Sequence, residues 1–440
     1  MNGLRCLWPA LAVTFVVTQP IDAQPPTAAP LDARASDPVV MGWMVGAPPP
    51  ADKLVSFADD SWLQFPQRRW SFSNVRQLMP TQVVSRGDGP VAELPLALRA
   101  DIDAVTFEPL GRDETATWEQ SLAANYTDGI LILHRGRVVY ERYFGVSAVD
   151  QPHLAFSVTK SFVATLAAML VDEGALDADA TVGRYLPELA TAGIGDATIR
   201  QLLDMTTGLD YTEDYNDSKS PVWDLARAGG FRVRPGDYRG AQSFFEYFGT
   251  VGKARPHGEV FAYKTVNTDV LGAVLRRVSG HSLSGLLSER IFGRLGAEHD
   301  AYFTVDPTGA EFAGGGLNLT LRDLARFGEA MRLDGRYNGA QIVPKRIVDD
   351  IRRGGDREKF VPAGYATLPG WSYRTMWWVS HNEHGAYTAR GIHGQGIYID
   401  PAAEMVIVRF ASHPLAGNVN LDPMSLPAYD AVARHLMTTN

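Results

Sequence analysis

The strand-forming runs of this chain stand at opposite ends of the sequence, and this placement constrains the fold more than any other feature. Early on, Gly129-Ile130-Leu131-Ile132-Leu133-His134 and Arg137-Val138-Val139-Tyr140 flank the tight turn Arg135-Gly136, the pattern of a β-hairpin. Three more runs, 374–379, 391–399 and 405–411, lie more than two hundred residues later, separated by polar turns that include Asp400-Pro401. Strands so far apart in sequence can share one sheet only if everything between them is an insertion. The expectation is an α+β fold: an antiparallel sheet of about five strands, built from 128–145 and 372–412 and flanked by helices.

The intervening stretch, about 156–332, reads as mostly helical. Phe162, Leu166 and Leu170 recur at helical spacing, and Gly174 stops the pattern after Glu173. Residues 270–278 run into Gly280, and 321–333 follow Thr320, a suitable N-cap. No internal repeat is visible.

Ahead of the first strand three segments differ in character. Residues 1–23 have a short start with Arg5, an interrupted apolar run and a polar tail ending at Ala23, the layout of a secretory signal peptide. The apolar run contains Pro9 and falls short of the roughly 20 residues that span a bilayer. Export to the periplasm or the medium is expected, with no stable membrane anchor after cleavage. Residues 24–55 are rich in Pro and Ala and suit an extended linker. In 56–110 aromatic residues return (Trp62, Phe65, Trp70, Phe72), which predicts an extension packed on the main domain, 111–440.

Cleavage after Ala23 would remove one charge of each sign, Arg5 and Asp22, leaving the net charge of −9 unchanged. It would also remove Cys6, the single cysteine, and with it any disulfide or thiolate chemistry. An acidic chain without a basic run is a poor ligand for nucleic acid. A small ester, amide or peptide is the expected partner; the sequence is silent on oligomeric state.

The chemistry centres on Ser157-Val158-Thr159-Lys160, at the head of the helix that ends near Glu173. Positions i and i+3 share a helix face, so the Ser157 hydroxyl and the Lys160 ammonium can meet across one turn. First-turn N–H groups lack helical partners, so the Ser157 N–H can face an oxygen becoming negative in acyl transfer. Lys160 would have to be neutral part of the time to accept the serine proton, and burial favours that state. By itself the spacing is weak evidence, since a Ser-x-x-Lys match arises by chance about once in a chain of this length.

Two later elements supply the context. Tyr263-Lys264-Thr265-Val266-Asn267 places a tyrosine before a helical run, and His393-Gly394-Gln395-Gly396 lies among the C-terminal strands. Taken in order, the three elements resemble the Ser-x-x-Lys, Ser/Tyr-x-Asn and Lys-Thr-Gly signature of serine β-lactamases and penicillin-binding proteins. The chain is most similar to the 6-aminohexanoate-dimer hydrolases and class C-type esterases within that group, from about Asp60 to the C-terminus. Trp70-Ser71-Phe72, Asp210-Tyr211-Thr212-Glu213-Asp214-Tyr215, Arg322-Asp323-Leu324-Ala325-Arg326 and Gly391-Ile392-His393-Gly394-Gln395 carry the likeness further.

The resemblance implies a site between sheet and helical lobe, no metal or other cofactor, and an acyl-enzyme on Ser157. Lys160 and Tyr263 would share the proton work. The Ser157 N–H and an N–H of Gln395 or Gly396 would form the oxyanion hole, with Tyr215, His393 and Gly394 on the substrate side. Tyr215 reads equally well as a packed loop aromatic, and the glycines as a strand bend.

Two departures from the signature shift the expected substrate. Thr265 stands where the second element has asparagine, and His393 stands where β-lactamases carry lysine, replacing a fixed positive charge by one mostly absent at neutral pH. Both favour esters or linear amides over penicillins. A β-lactamase, a D,D-peptidase and a non-catalytic penicillin-binding-like sensor are the alternatives. Among weaker signals, His381-Asn382-Glu383-His384 reads as a solvated turn rather than a metal pair, and Arg86-Gly87-Asp88 as a turn. Trp371, Tyr373, Trp377 and Trp378 suit a core, with room for one or two to wall a cleft.

Overall fold

The computed structural model describes residues 29–438. The expected signal segment 1–23 and the first residues of the Pro/Ala-rich stretch lie outside them. The main sheet has seven antiparallel strands rather than five: β1 (Thr127–His134), β2 (Arg137–Tyr143), β3 (Ser372–Arg374), β4 (Trp377–Val379), β5 (Tyr387–Arg390), β6 (Gly396–Asp400) and β7 (Met405–Ala411). Their spatial order is β3-β4-β5-β6-β7-β1-β2, so the hairpin from the front of the chain pairs with its last strand. The 374–379 run is two strands, because Thr375 and Met376 take left-handed backbone (φ 49° and 57°) and turn the chain between them. Residues 391–395 form a bend between β5 and β6 rather than the start of a strand.

Strand β1 is buried along its whole length, which is why it reads as an unbroken apolar run. Its side chains still alternate: Leu131 and Leu133 enter the large core shared with the helical lobe, and Ile130 and Ile132 a second core on the opposite face. Helices cover both faces. In chain order the ones that matter are α1 (Val158–Asp172), α2 (Pro221–Ala228), α3 (Thr265–Ser279), α4 (Leu321–Arg332) and α5 (Asp422–Thr438). Helix α4, capped by the Thr320 hydroxyl, lies against β1, β6 and β7 on the first face. Gly328 makes that approach possible, since a Cβ there would sit 2.7 Å from a Val406 methyl. Helix α5 and the short helix Trp118–Ala124 close the other face.

A smaller sheet, in the order Thr81–Val84, Ala301–Thr304, Leu317–Leu319, His153–Leu154, stands beside the head of α1. Within 56–110, Trp62, Trp70 and Phe72 are buried in a third cluster with Leu154 and Phe156. The stretch expected as an extended linker joins this cluster too. Asp37 caps the turn Pro38–Met41 and Trp43 and Val55 are buried, while Val39, Val40 and Val45 stay exposed. The proline count misleads there because two apolar anchors suffice to hold a short segment down. The His381–His384 turn is also less solvated than expected: His384 is buried and 2.7 Å from Asp400, and His381 Nε2 lies 2.7 Å from the Ser372 hydroxyl.

Candidate active site

The chain reaches Ser157 through a forced turn. Ala155 is tied to the smaller sheet by its N–H to the Leu317 carbonyl (2.9 Å), and Phe156 then takes left-handed backbone at φ 45°, unusual for an aromatic residue. Phe72, Phe231 and His393 hold the Phe156 ring, at centroid distances of 4.8, 6.5 and 5.6 Å. The turn delivers Ser157 as the residue that opens α1, a helix buried over most of its length, with Phe162 stacked on Phe327 at 3.8 Å. Burying such apolar side chains contributes roughly 1.5–3 kcal/mol each, enough to hold one strained turn in place.

One helical turn on, Lys160 is fully enclosed and its Nζ lies 2.9 Å from Ser157 Oγ. The same ammonium donates to the Gly314 carbonyl, and the Gly314 N–H donates to Asp269 Oδ1 at 2.8 Å. One residue, Gly314, thus bridges Lys160 and a buried carboxylate on α3 through the two peptide groups that flank its Cα. The other oxygen of that carboxylate, Oδ2, has no hydrogen-bond partner among the described residues. Burial pushes the Lys160 pKa below the usual lysine range, with the charges of Glu213 and Asp269 pulling back up. Burial likewise raises Asp269, opposed by the Gly314 N–H and by Lys160.

Tyr263 stands just before α3, on the Ser157 side, where the serine is among the groups that act on its hydroxyl. The Lys160 Nζ lies 5.2 Å from the Tyr263 ring centroid. Trp378 stacks on that ring at 5.7 Å and Tyr373 meets it edge-on at 6.1 Å, so two of the four clustered aromatics fix the tyrosine, whereas Trp377 belongs to the core. Burial raises the Tyr263 pKa, which keeps its proton available.

An apolar cleft opens at Ser157. Tyr215 lines it, with its hydroxyl donating to Glu213 Oε2 at 2.8 Å. Glu213 Oε1 accepts the Thr265 N–H at the start of α3, so both oxygens of this carboxylate are engaged. Asn267, two positions past the expected place, is buried away from the cleft against Thr207 and Met205.

The bend between β5 and β6 differs from the expectation. Gln395 is buried with its side chain spanning Ala411 and the Ile392 carbonyl, and Gly396 begins β6; neither lines the cleft. Ile392 does. Gly391, just before it, presses on the chain leading to the serine: a Cβ there would lie 2.8 Å from the Ala155 carbonyl. Among the described residues neither the Ser157 N–H nor the Ile392 N–H has a backbone acceptor. His393 and Gly394 turn away from the cleft. The His393 Nδ1 donates to the His413 carbonyl at 2.7 Å, and burial together with the Arg68 guanidinium holds its pKa well below the ordinary histidine value. At Gly394 a Cβ would meet Leu421 at 2.7 Å, so packing requires this glycine.

Five contributors escaped the sequence reading: Glu213, Asp269, Gly314, Ile392 and Arg68. Asp269 stands six residues after Tyr263, but the tyrosine lies before the helix begins, so no helical spacing ties the two together. Gly314 is visible only once the smaller sheet brings 314–317 against the head of α1. Among the described residues no cluster of His, Cys, Asp or Glu is arranged to hold a metal ion.

A sheet with a helical insert, and at their junction a serine and a buried lysine one helical turn apart, define the serine-lysine class of acyl-transfer hydrolases. The Beta-lactamase family profile matches residues 116–419. The chain is 37% identical over 357 residues, 81% of its length and 88% of the relative's, to a 6-aminohexanoate-dimer hydrolase of Paenarthrobacter ureafaciens. Its fold superposes with a TM-score of 0.80 on a Bacillus anthracis protein provisionally assigned as a 6-aminohexanoate-dimer hydrolase, at 32% identity, covering 89% of this chain and 99% of that one. EstCE1, a hydrolase with promiscuous acyltransferase activity, shares the fold at 19% identity and a TM-score of 0.55, over 72% of this chain and 96% of its own. This chain belongs to the β-lactamase family and is a serine hydrolase of that family.

Proposed function

We propose that this enzyme cleaves small esters or linear amides through an acyl-enzyme on Ser157, and that it does so outside the cytoplasm. The observation that carries the reading is the 2.9 Å contact between Ser157 Oγ and an enclosed Lys160 Nζ, at a cleft lined by Ser157 and Ile392, whose N–H groups have no backbone acceptor among the described residues. Neutral Lys160 takes the hydroxyl proton as Oγ bonds to the substrate carbonyl carbon. The carbonyl oxygen gains the negative charge and sits between the N–H groups of Ser157 and Ile392, the second donor in place of Gln395 or Gly396. As the bond to the alkoxide or amine breaks, Tyr263 protonates the leaving group and is reprotonated from Lys160. Water then attacks the acyl carbon, gives its proton to the same pair, and Ser157 leaves with a proton.

The neutral, enclosed His393 supports the ester or amide preference over penicillins, since it offers no fixed charge to an antibiotic carboxylate. The expected signal segment supports the extracytoplasmic placement, and amino-terminal sequencing of the protein recovered from its native compartment tests it. For the reaction, wild type and Ser157→Ala should be compared on p-nitrophenyl butyrate, a chromogenic cephalosporin, a D-Ala-D-Ala peptide and the linear aminohexanoate dimer. The proposal expects steady ester turnover that vanishes in the variant. Turnover undiminished by the substitution would refute it, and a single burst without turnover on every substrate would favour the sensor.

A further inference from the structure

The wall of the cleft is apolar to a degree that the chemistry at its end does not require. Helix α2 turns Val222, Leu225 and Ala226 toward it at helical spacing, and Phe231, Phe312 and Ile392 complete that side. The charges on these elements are all spent elsewhere. Asp224 and Arg227 pair with each other at 3.0 Å on the outer face of α2, and Arg232 pairs with Asp60 at 2.9 Å while lying over the Trp223 ring. Glu213, which is not part of this wall, accepts from the Tyr215 hydroxyl and the Thr265 N–H, neutral donors that leave its negative charge in place near Lys160. Arg68, behind the wall, donates to the Leu63 and Pro414 carbonyls. A charged group drawn against α2, Phe231 and Phe312 would lose its water and find no counter-charge on that wall.

Resting on the acyl-enzyme reading above, we infer that the cleft selects substrates whose acyl chain is uncharged and apolar, with α2, Phe231 and Phe312 as the specificity-determining surface. The acyl half, rather than the leaving group, belongs there. A departing alkoxide or amine must reach Tyr263 and Lys160 to be protonated, and neither side chain forms part of the apolar wall. The leaving group therefore points out toward them, and the chain attached to the carbonyl carbon points in. An ω-ammonium acyl chain, such as the one an aminohexanoate dimer carries, is a poor occupant.

The test is a p-nitrophenyl ester series on wild-type enzyme: acetate, butyrate, hexanoate, heptanoate and octanoate, together with 6-aminohexanoate as the charged counterpart of heptanoate. Labelling of Ser157 by a fluorophosphonate is measured in parallel. Burying each added methylene should raise kcat/KM about fourfold over the shorter members. Heptanoate should exceed 6-aminohexanoate by roughly a hundredfold. Ala226→Leu, which fills the cleft, should lower the octanoate-to-acetate ratio about tenfold. A flat chain-length profile, or a 6-aminohexanoate ester that matches heptanoate, would overturn the inference while acetate turnover and Ser157 labelling leave the acyl-enzyme reading standing. Absence of both labelling and turnover of every ester would bring down both.

Discussion

The two sides of the Ser157 cleft are built on opposite principles. On one side Lys160, Tyr263, Asp269 and Gly314 form a buried polar network in which hydrogen bonds and packed rings fix each group. On the other side Val222, Leu225, Ala226, Phe231 and Phe312 offer surface without a single hydrogen-bonding side chain. Buried charge demands fixed partners at short range, whereas apolar contact asks only for volume. Under the proposed mechanism the first side sets the rate and tolerates little substitution, and the second sets which chain enters. If that division is correct, changes on the polar side lower kcat and changes on the apolar side raise KM.

The largest effect should follow Lys160→Ala, which removes the base: kcat for an activated ester falls by about 10³–10⁴-fold in steady-state assay. Added methylamine should restore part of it, which a merely misfolded variant would not show. Tyr263→Phe keeps the ring stacked on Trp378 and loses only the hydroxyl, and kcat should drop about 10²-fold, more for an amide than for a p-nitrophenyl ester, whose leaving group needs no proton. A smaller effect separates charge from shape. Asp269→Asn keeps an acceptor for the Gly314 N–H but removes an anion whose field holds the proton on Lys160.

The sign is fixed by the role of the lysine. The proposed mechanism needs neutral Lys160, so kcat/KM should rise with pH through the Lys160 pKa; burial places that rise below the usual lysine range, and Glu213 and Asp269 oppose the shift. Taking the Asp269 charge away moves the rising limb to lower pH, and the variant should exceed wild type several-fold on the acid side. A limb that stays in place would reduce Asp269 to a packing role. The smallest change is expected across the cleft: Phe312→Ala should raise KM for hexanoate esters by about tenfold with little change in kcat. A fall in kcat instead would show that the apolar side shapes the chemistry after all.

The same division explains what the sequence discloses. On the polar side the Ser157–Lys160 pair rests on local geometry, one helical turn, and Tyr263, at the head of α3, is found by its place in the ordered signature rather than by spacing from the serine. The sheet is legible too, because strand runs at both ends leave one way to close it. What escapes is assembled from distant segments. The Gly314 carbonyl meets Lys160 only through the smaller sheet, and the apolar wall joins α2 to Phe312 and Ile392 across more than a hundred residues. The bend after β5 misleads for another reason: the glycines at 394 and 396 suggest an open strand, yet Gly394 is small to admit Leu421, and Ile392, an unremarkable apolar residue in the sequence, takes the place at the cleft.

The central claim is a covalent bond at Ser157, and it is tested most directly by trapping it. Enzyme mixed with p-nitrophenyl octanoate, quenched in acid within the first turnover and digested, should yield an octanoyl mass increment on the peptide bearing Ser157 and on no other. The Ser157→Ala protein should show none. Octanoate found on a different residue, or steady turnover with no acylated peptide at any quench time, would contradict the account.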